Sequence, residues 1–125
     1  MDIPAGLKGQ KEVMVMKENT ALAHGSGTLE VFATPAMVAL MEQAAQSSVQ
    51  AYLSEGHTTV GGHLDIKHVK PTPVGLKVYA KSTLASAEGR KLVFNVEAFD
   101  EEGKIGFGVH TRYIVDASTF GGGKG

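Results

Sequence analysis

Apolar residues recur at helical spacing through FATPAMVALMEQAAQSSVQAYLSEG, from Phe32 to Gly56. Placed at ~100° per residue, Met37, Val38, Leu40, Met41, Ala44, Ala45, Val49, Ala51 and Tyr52 share one broad arc, which Leu53 closes. The opposite face carries Gln43, Gln46, Ser47 and Gln50, and Glu42 is the only charged residue between Val31 and Ser54. Thr34 suits an N-cap, Pro35 the first helical position and Gly56 a stop. A surface helix has a narrower apolar stripe and a charged back. This one is predicted to be covered on most sides, with one carboxylate turned towards apolar surroundings.

Elsewhere the period is two. Residues 1–8 read as an arm, and Gln10–Lys17 as a first strand with Val13 and Val15 on one face. Asn19–Thr28 reads as a short strand or loop. In His57–Val69, alternation places Leu64, Ile66 and His68 inward, and His63, Asp65 and Lys67 towards water. After the turn Pro71-Thr72-Pro73-Val74-Gly75, Leu76–Ser86 and Lys91–Asp100 form a hairpin about Ala87–Arg90. Asp100–Gly103 then turns the chain into Lys104–Val115. There Ile105, Phe107, Val109, Tyr113 and Val115 share one parity. Gly106, Gly108, His110 and Arg112 share the other, where the glycines predict the close approach of another backbone. One strand, a long helix and four strands joined by tight turns make an α+β fold, an antiparallel sheet curled around the helix. One sheet is too small to enclose so wide an arc, so a homodimer or larger homo-oligomer is expected, its sheets joined edge to edge or its helices side by side.

With 125 residues the chain suffices for one domain, expected over residues 1–118, with the glycine-rich 119–125 a disordered tail. A net charge of −1 gives no electrostatic case for nucleic acid or a membrane surface. No apolar run approaches the ~20 residues of a membrane span. The opening MDIPAGLKGQ has no secretory h-region, and the absence of cysteine removes disulfides, thiolate nucleophiles and Cys metal sites. A cytoplasmic location is expected.

Glu42 is the first candidate for chemistry, because a carboxyl group held away from water titrates nearer neutrality and suits a general base or nucleophile. A neighbouring Thr, Gln or N–H would equally satisfy it. Thr34 has capping as its simplest role. Eight helical residues rise ~12 Å, so Thr34 and Glu42 are not expected to touch directly: they could bracket a substrate, or meet through the curvature before the cap. His68, inward among apolar neighbours, reads as a core histidine or as Glu42's partner. The backbone of Gly61 and Gly62 could serve an oxyanion, or form a bulge needed only for curvature. His63 and His68 lie on opposite strand faces, which argues against a metal site. His24 and His110 are read as surface or structural. Lys67, Lys70, Arg90 and Arg112 are cations without ranking for coenzyme A phosphates. No G-x-S-x-G elbow or Walker loop occurs.

The residues in VFATPAMVALME, GGHLDIKHVKPTPVG and GVHTRYIV resemble the hot-dog fold, and more narrowly the fluoroacetyl-CoA thioesterase-like subgroup of acyl-CoA thioesterases. The resemblance runs from about Lys11 to Asp116. It implies a catalytic set of Thr34, Glu42 and His68, with Gly61 helping to hold the thioester. It also implies an acyl-CoA substrate, no separate cofactor, and a dimer with its acyl and pantetheine channel at the subunit interface. The segment ENTALAHGSGTLE lacks the aromatic-rich lid of the fluoroacetyl-specific member, so the acyl group stays open. So does the route: Glu42 attacks the carbonyl, or it activates water. An enoyl-CoA hydratase or dehydratase and a non-catalytic acyl-CoA-binding module remain the alternatives.

Overall fold

A computed structural model describes residues 2–121. Strand β1 spans Lys8–Met14, followed by a 3-10 turn at Lys17–Asn19 and the one-turn helix α1 at Ala21–His24. Helix α2 spans Thr34–Gln50, and β2 His57–His68, β3 Lys77–Glu88, β4 Lys91–Asp100 and β5 Gly103–Asp116 complete the chain. The strands form one antiparallel sheet in the order β1-β3-β4-β5-β2. Both β1 and β2 therefore have one free edge.

The sheet wraps α2 because its inner face is apolar at every second position. Val78, Ala80 and Leu84 of β3 and Leu92, Phe94, Val96 and Ala98 of β4 bury against Met37, Leu40, Met41, Ala44, Ala45 and Val49 of the helix. Burying each of the larger side chains contributes roughly 1.5–3 kcal/mol. The arm does more than trail: the Gly6 N–H donates to the Leu84 carbonyl and the Leu84 N–H to that of Leu7, and Ile3 and Leu7 pack on the core.

Several expectations are corrected. Helix α2 ends at Gln50, six residues before Gly56, and Ala51 and Tyr52 are exposed. The Gln50 side chain instead bonds the His57 carbonyl and receives the Thr58 hydroxyl, tying the helix end to β2. Within Asn19–Thr28, Ala21–His24 forms one helical turn, which Thr20 caps through the Ala23 N–H and Gly25, at φ +72°, ends. On β5 Ile105 joins the core, but from Phe107 to Tyr113 the apolar parity is the outer one. Phe107, Val109 and Tyr113 are exposed, while His110 and Arg112 are buried on the helix side. The glycine expectation holds there: a Cβ on Gly108 would collide with the Asp65 carbonyl of β2. In the tail, Thr119 and Phe120 close a turn on the Asp116 carbonyl, and residues 122–125 lie outside the described residues.

Candidate active site

Two side-chain clusters flank α2 on the side of β2. The first joins the helix start to the end of β2. Ala33, not Thr34, is the N-cap residue, with no side-chain bond to the helix, so the Thr34 hydroxyl is free of the expected capping role. It lies 2.7 Å from Nδ1 of His68. The other ring nitrogen, Nε2, is buried without a hydrogen-bond partner among the described residues. Burial pulls the His68 imidazole below its ordinary value near 6.5, against a smaller upward pull from a backbone hydrogen bond at Lys70. A cavity of about 340 Å³ contains Thr34 and His68 together with Ala21, Phe32 and Val69.

A buried carboxylate fixes this cluster from below. Asp100 accepts from Lys70 Nζ at 2.6 Å, from the Thr72 hydroxyl at 2.9 Å and from the Glu102 N–H at 2.8 Å. Burial pushes the Asp100 carboxyl up, but these donors, Lys70 first, outweigh it and hold it below the usual range. The Thr72 carbonyl in turn accepts the Phe32 N–H at 2.8 Å. One carboxylate thus ties the chain entering α2 to the chain leaving β2.

The second cluster surrounds Glu42, eight residues and ~12 Å further along the helix. Its Oε2 lies 3.5 Å from Nη1 of Arg112 and 3.8 Å from Nε2 of His110. A Cβ on Gly61 would stand 2.6 Å from Glu42 Oε2, so the carboxylate rests directly on the Gly61 backbone. Gly62, next in the bulge of β2, faces the other way and lies under the Tyr113 ring. The Glu42 side chain is 36% exposed within a single chain, so the expected dry setting is not reached there.

Thr34 therefore meets His68, Glu42 meets Gly61, and Glu42 faces His110 and Arg112 rather than His68. His110, expected to be surface or structural, and Arg112, one of four unranked cations, are both buried beside Glu42. The usable signal was the pair of glycines sharing their parity, Gly106 giving room to the Met37 side chain of α2 and Gly108 to the backbone of β2. A larger cavity, about 590 Å³ between Ile3, Leu92, Arg90 and Ile114, contains none of Thr34, Glu42, Gly61, Gly62 and His68. The described residues contain no group of three or more metal-ligating side chains and no helix long and apolar enough to cross a membrane.

Residues 15–118 match the family described as FlK, fluoroacetyl-CoA-specific thioesterase. The chain belongs to this family. It is 40% identical over 91 residues to the fluoroacetyl-CoA thioesterase of Streptantibioticus cattleyicolor, a stretch covering 73% of this chain and 66% of the relative. A crystal structure of a phenylalanine-to-alanine variant of FlK, in complex with fluoroacetate and CoA, superposes with a TM-score of 0.89 at 31% identity. That match covers 95% of this chain and all of the other. A thioesterase superfamily member from Thermus thermophilus superposes at 0.87 and 28% identity, over 94% of this chain and 88% of its own. A hot-dog-like protein from Thermanaerovibrio acidaminovorans shares the fold at 0.82. The five-stranded sheet around one long helix is the hot-dog fold, and the family is one of thioester hydrolases.

Proposed function

We propose that the chain hydrolyses a small or medium acyl-CoA to a carboxylic acid and free CoA, with Thr34, Glu42 and His68 as its reacting groups. The observation that carries this reading is the 2.7 Å contact between Thr34 and His68 beside a cavity, in a chain of the FlK family. Glu42 attacks the thioester carbonyl, and water then cleaves the resulting acyl–Glu42 anhydride to release the acid, or Glu42 draws the proton from a water that attacks directly. The developing oxyanion takes a backbone N–H at Gly61, the kind of donor worth roughly 3–4 kcal/mol. His68, held by Thr34, delivers a proton to the departing sulfur through Nε2. Coenzyme A enters as part of the substrate, and no separate cofactor has a role in these steps.

The assembly in this reading is a homodimer in the cytoplasm. Within one chain, Leu64 on the helix-facing side of β2 is 44% exposed and the outer edge of β2 is unpaired. A second copy laid along that edge would cover both and dry Glu42. The test is free-thiol release from a panel of short, branched and aromatic acyl-CoAs by wild type and by Glu42→Gln. Turnover in the wild type and its loss in the folded variant support the reading. Undiminished hydrolysis in Glu42→Gln rules it out. Absorbance change of an enoyl-CoA without thiol release would indicate a hydratase, and tight binding without turnover a binding module.

A further inference from the structure

Each of the three guanidinium nitrogens of Arg112 has a partner. Its Nε donates to the Thr59 hydroxyl at 2.8 Å and its Nη2 to the Thr59 carbonyl at 2.9 Å, which fixes the guanidinium plane against β2. The remaining nitrogen, Nη1, reaches Glu42 at 3.5 Å and His110 Nε2 at 3.1 Å. Burial lowers the affinity of Arg112 for its proton and Glu42 restores part of it, but a guanidinium keeps its charge in proteins. A fixed cation with 8% of its side chain exposed needs a counter-charge, and Glu42 is the carboxylate that supplies it.

His110 settles which way the pair is read. Its Nδ1 faces the His63 carbonyl at 2.9 Å, a group that only accepts, so Nδ1 carries the hydrogen. Its Nε2 faces Arg112, a group that only donates, so Nε2 is bare and accepts. Both ring nitrogens are satisfied only in the neutral Nδ1–H form. The 3.8 Å approach of His110 to Glu42 is therefore no ion pair, and His110 acts on Glu42 only through Arg112.

We propose that Arg112, braced by Thr59 and by neutral His110, is the positioning residue that aims the Glu42 carboxylate over the Gly61 backbone. The relay starts in the β2 bulge, where His63 follows Gly61 and Gly62, and returns to the same bulge through Glu42. The position of the reacting carboxylate and that of the oxyanion donor are thereby set by one rigid unit. This rests on the reading of Glu42 as a reacting group.

The test compares Arg112→Gln, Arg112→Lys, His110→Gln, His110→Asn and Glu42→Gln, each with its far-UV spectrum and melting temperature. The substrate is the acyl-CoA that wild type turns over fastest. Arg112→Gln is expected to lower kcat at least about tenfold with KM nearly unchanged, the pattern of a lost transition-state interaction. Arg112→Lys keeps the charge without the fork to Thr59 and recovers only part. Gln at 110 keeps an acceptor for Arg112 whereas Asn keeps only the donor towards His63, so His110→Gln retains more kcat than His110→Asn. In the Glu42→Gln background, Arg112→Gln adds less than about twofold, because the two act as one unit. Arg112→Gln within about twofold of wild type, while Glu42→Gln is impaired, overturns the positioning role alone. So do losses that multiply in the double variant. If Arg112→Gln fails to fold, the order of the two His110 variants decides in the same sense. Full activity in Glu42→Gln overturns the reading of the site itself.

Discussion

The Thr34 hydroxyl sits 2.7 Å from Nδ1 of His68 although 34 residues separate them, and it is bound to nothing in its own helix. Release from capping is what makes the hydroxyl available. Replacing Thr34 by Val keeps the shape and the helix start but removes the bond to the imidazole. We expect kcat for thioester hydrolysis to fall by about 10²-fold with the melting temperature nearly unchanged, and Thr34→Ser to keep most of the activity. Steady-state kinetics with a free-thiol reagent, beside a thermal melt, checks both halves. A Val variant as active as wild type would remove Thr34 from the chemistry.

Acid should loosen the protein. His68 and His110 have folded values below the ordinary value near 6.5, burial being the largest cause for each. Between that value and the lower folded one, the unfolded chain binds more protons than the folded chain. The stabilisation is therefore complete above about 6.5 and is lost as pH falls through the folded values. Melting temperature measured against pH is expected to be flat above 7 and to decline below about 6.5. Replacing His110 by Phe, which never takes a proton, should shallow that decline. An unchanged slope would show that His110 does not titrate in this window.

How far these residues were legible varies with how local their cause is. The period-two runs and turn residues located all five strands, and the wide apolar arc located α2, because both follow from neighbours along the chain. The helix end was misplaced because the contact that fixes it, Gln50 to the β2 residues His57 and Thr58, is tertiary. Thr34, Glu42 and His68 stood out by residue type and resemblance. Arg112 and His110 did not, because the middle of β5 turns Phe107, Val109 and Tyr113 outward and its polar residues inward, while Ile105 and Ile114 nearer its ends join the core. Thr59 and Asp100 gave no signal: the partners that matter, Arg112 for Thr59 and Lys70 and Thr72 for Asp100, lie 53 and 28–30 residues away.

Asp100 is expected to matter to His68 without touching it. Its fully buried carboxylate binds Lys70 and Thr72, which hold the chain just beyond His68 and the Phe32 N–H just before Thr34. Asp100→Asn weakens the Lys70 and Glu102 bonds, and Asp100→Ala removes all three. The Ala variant is expected to lose about 3 kcal/mol of stability, the Asn variant roughly 1–2 kcal/mol. Urea unfolding measures the loss. Below the melting transition, the Asn variant should show reduced kcat, since the Thr34–His68 distance is no longer fixed. Full stability in both variants would mean that the network is dispensable.

Gly61 offers the sharpest steric test of the Glu42 cluster. Its backbone has no positive φ that would penalise a side chain, so Gly61→Ala is free of conformational strain. The added methyl would nonetheless stand 2.6 Å from Glu42 Oε2 and 3.1 Å from His110 Cε1. Arg112 and His110 are buried and bonded and cannot retreat, whereas Glu42 is half-exposed and can. The carboxylate is therefore the group that swings out, by an ångström or more. A displacement of that size costs about 10²-fold in rate where a reacting group must be aligned. The variant should fold, bind substrate with similar KM and turn over far more slowly. A crystal structure of Gly61→Ala should show Glu42 detached from Arg112. Retention of full kcat with Glu42 displaced would separate the carboxylate's position from the reaction and remove the basis for its role.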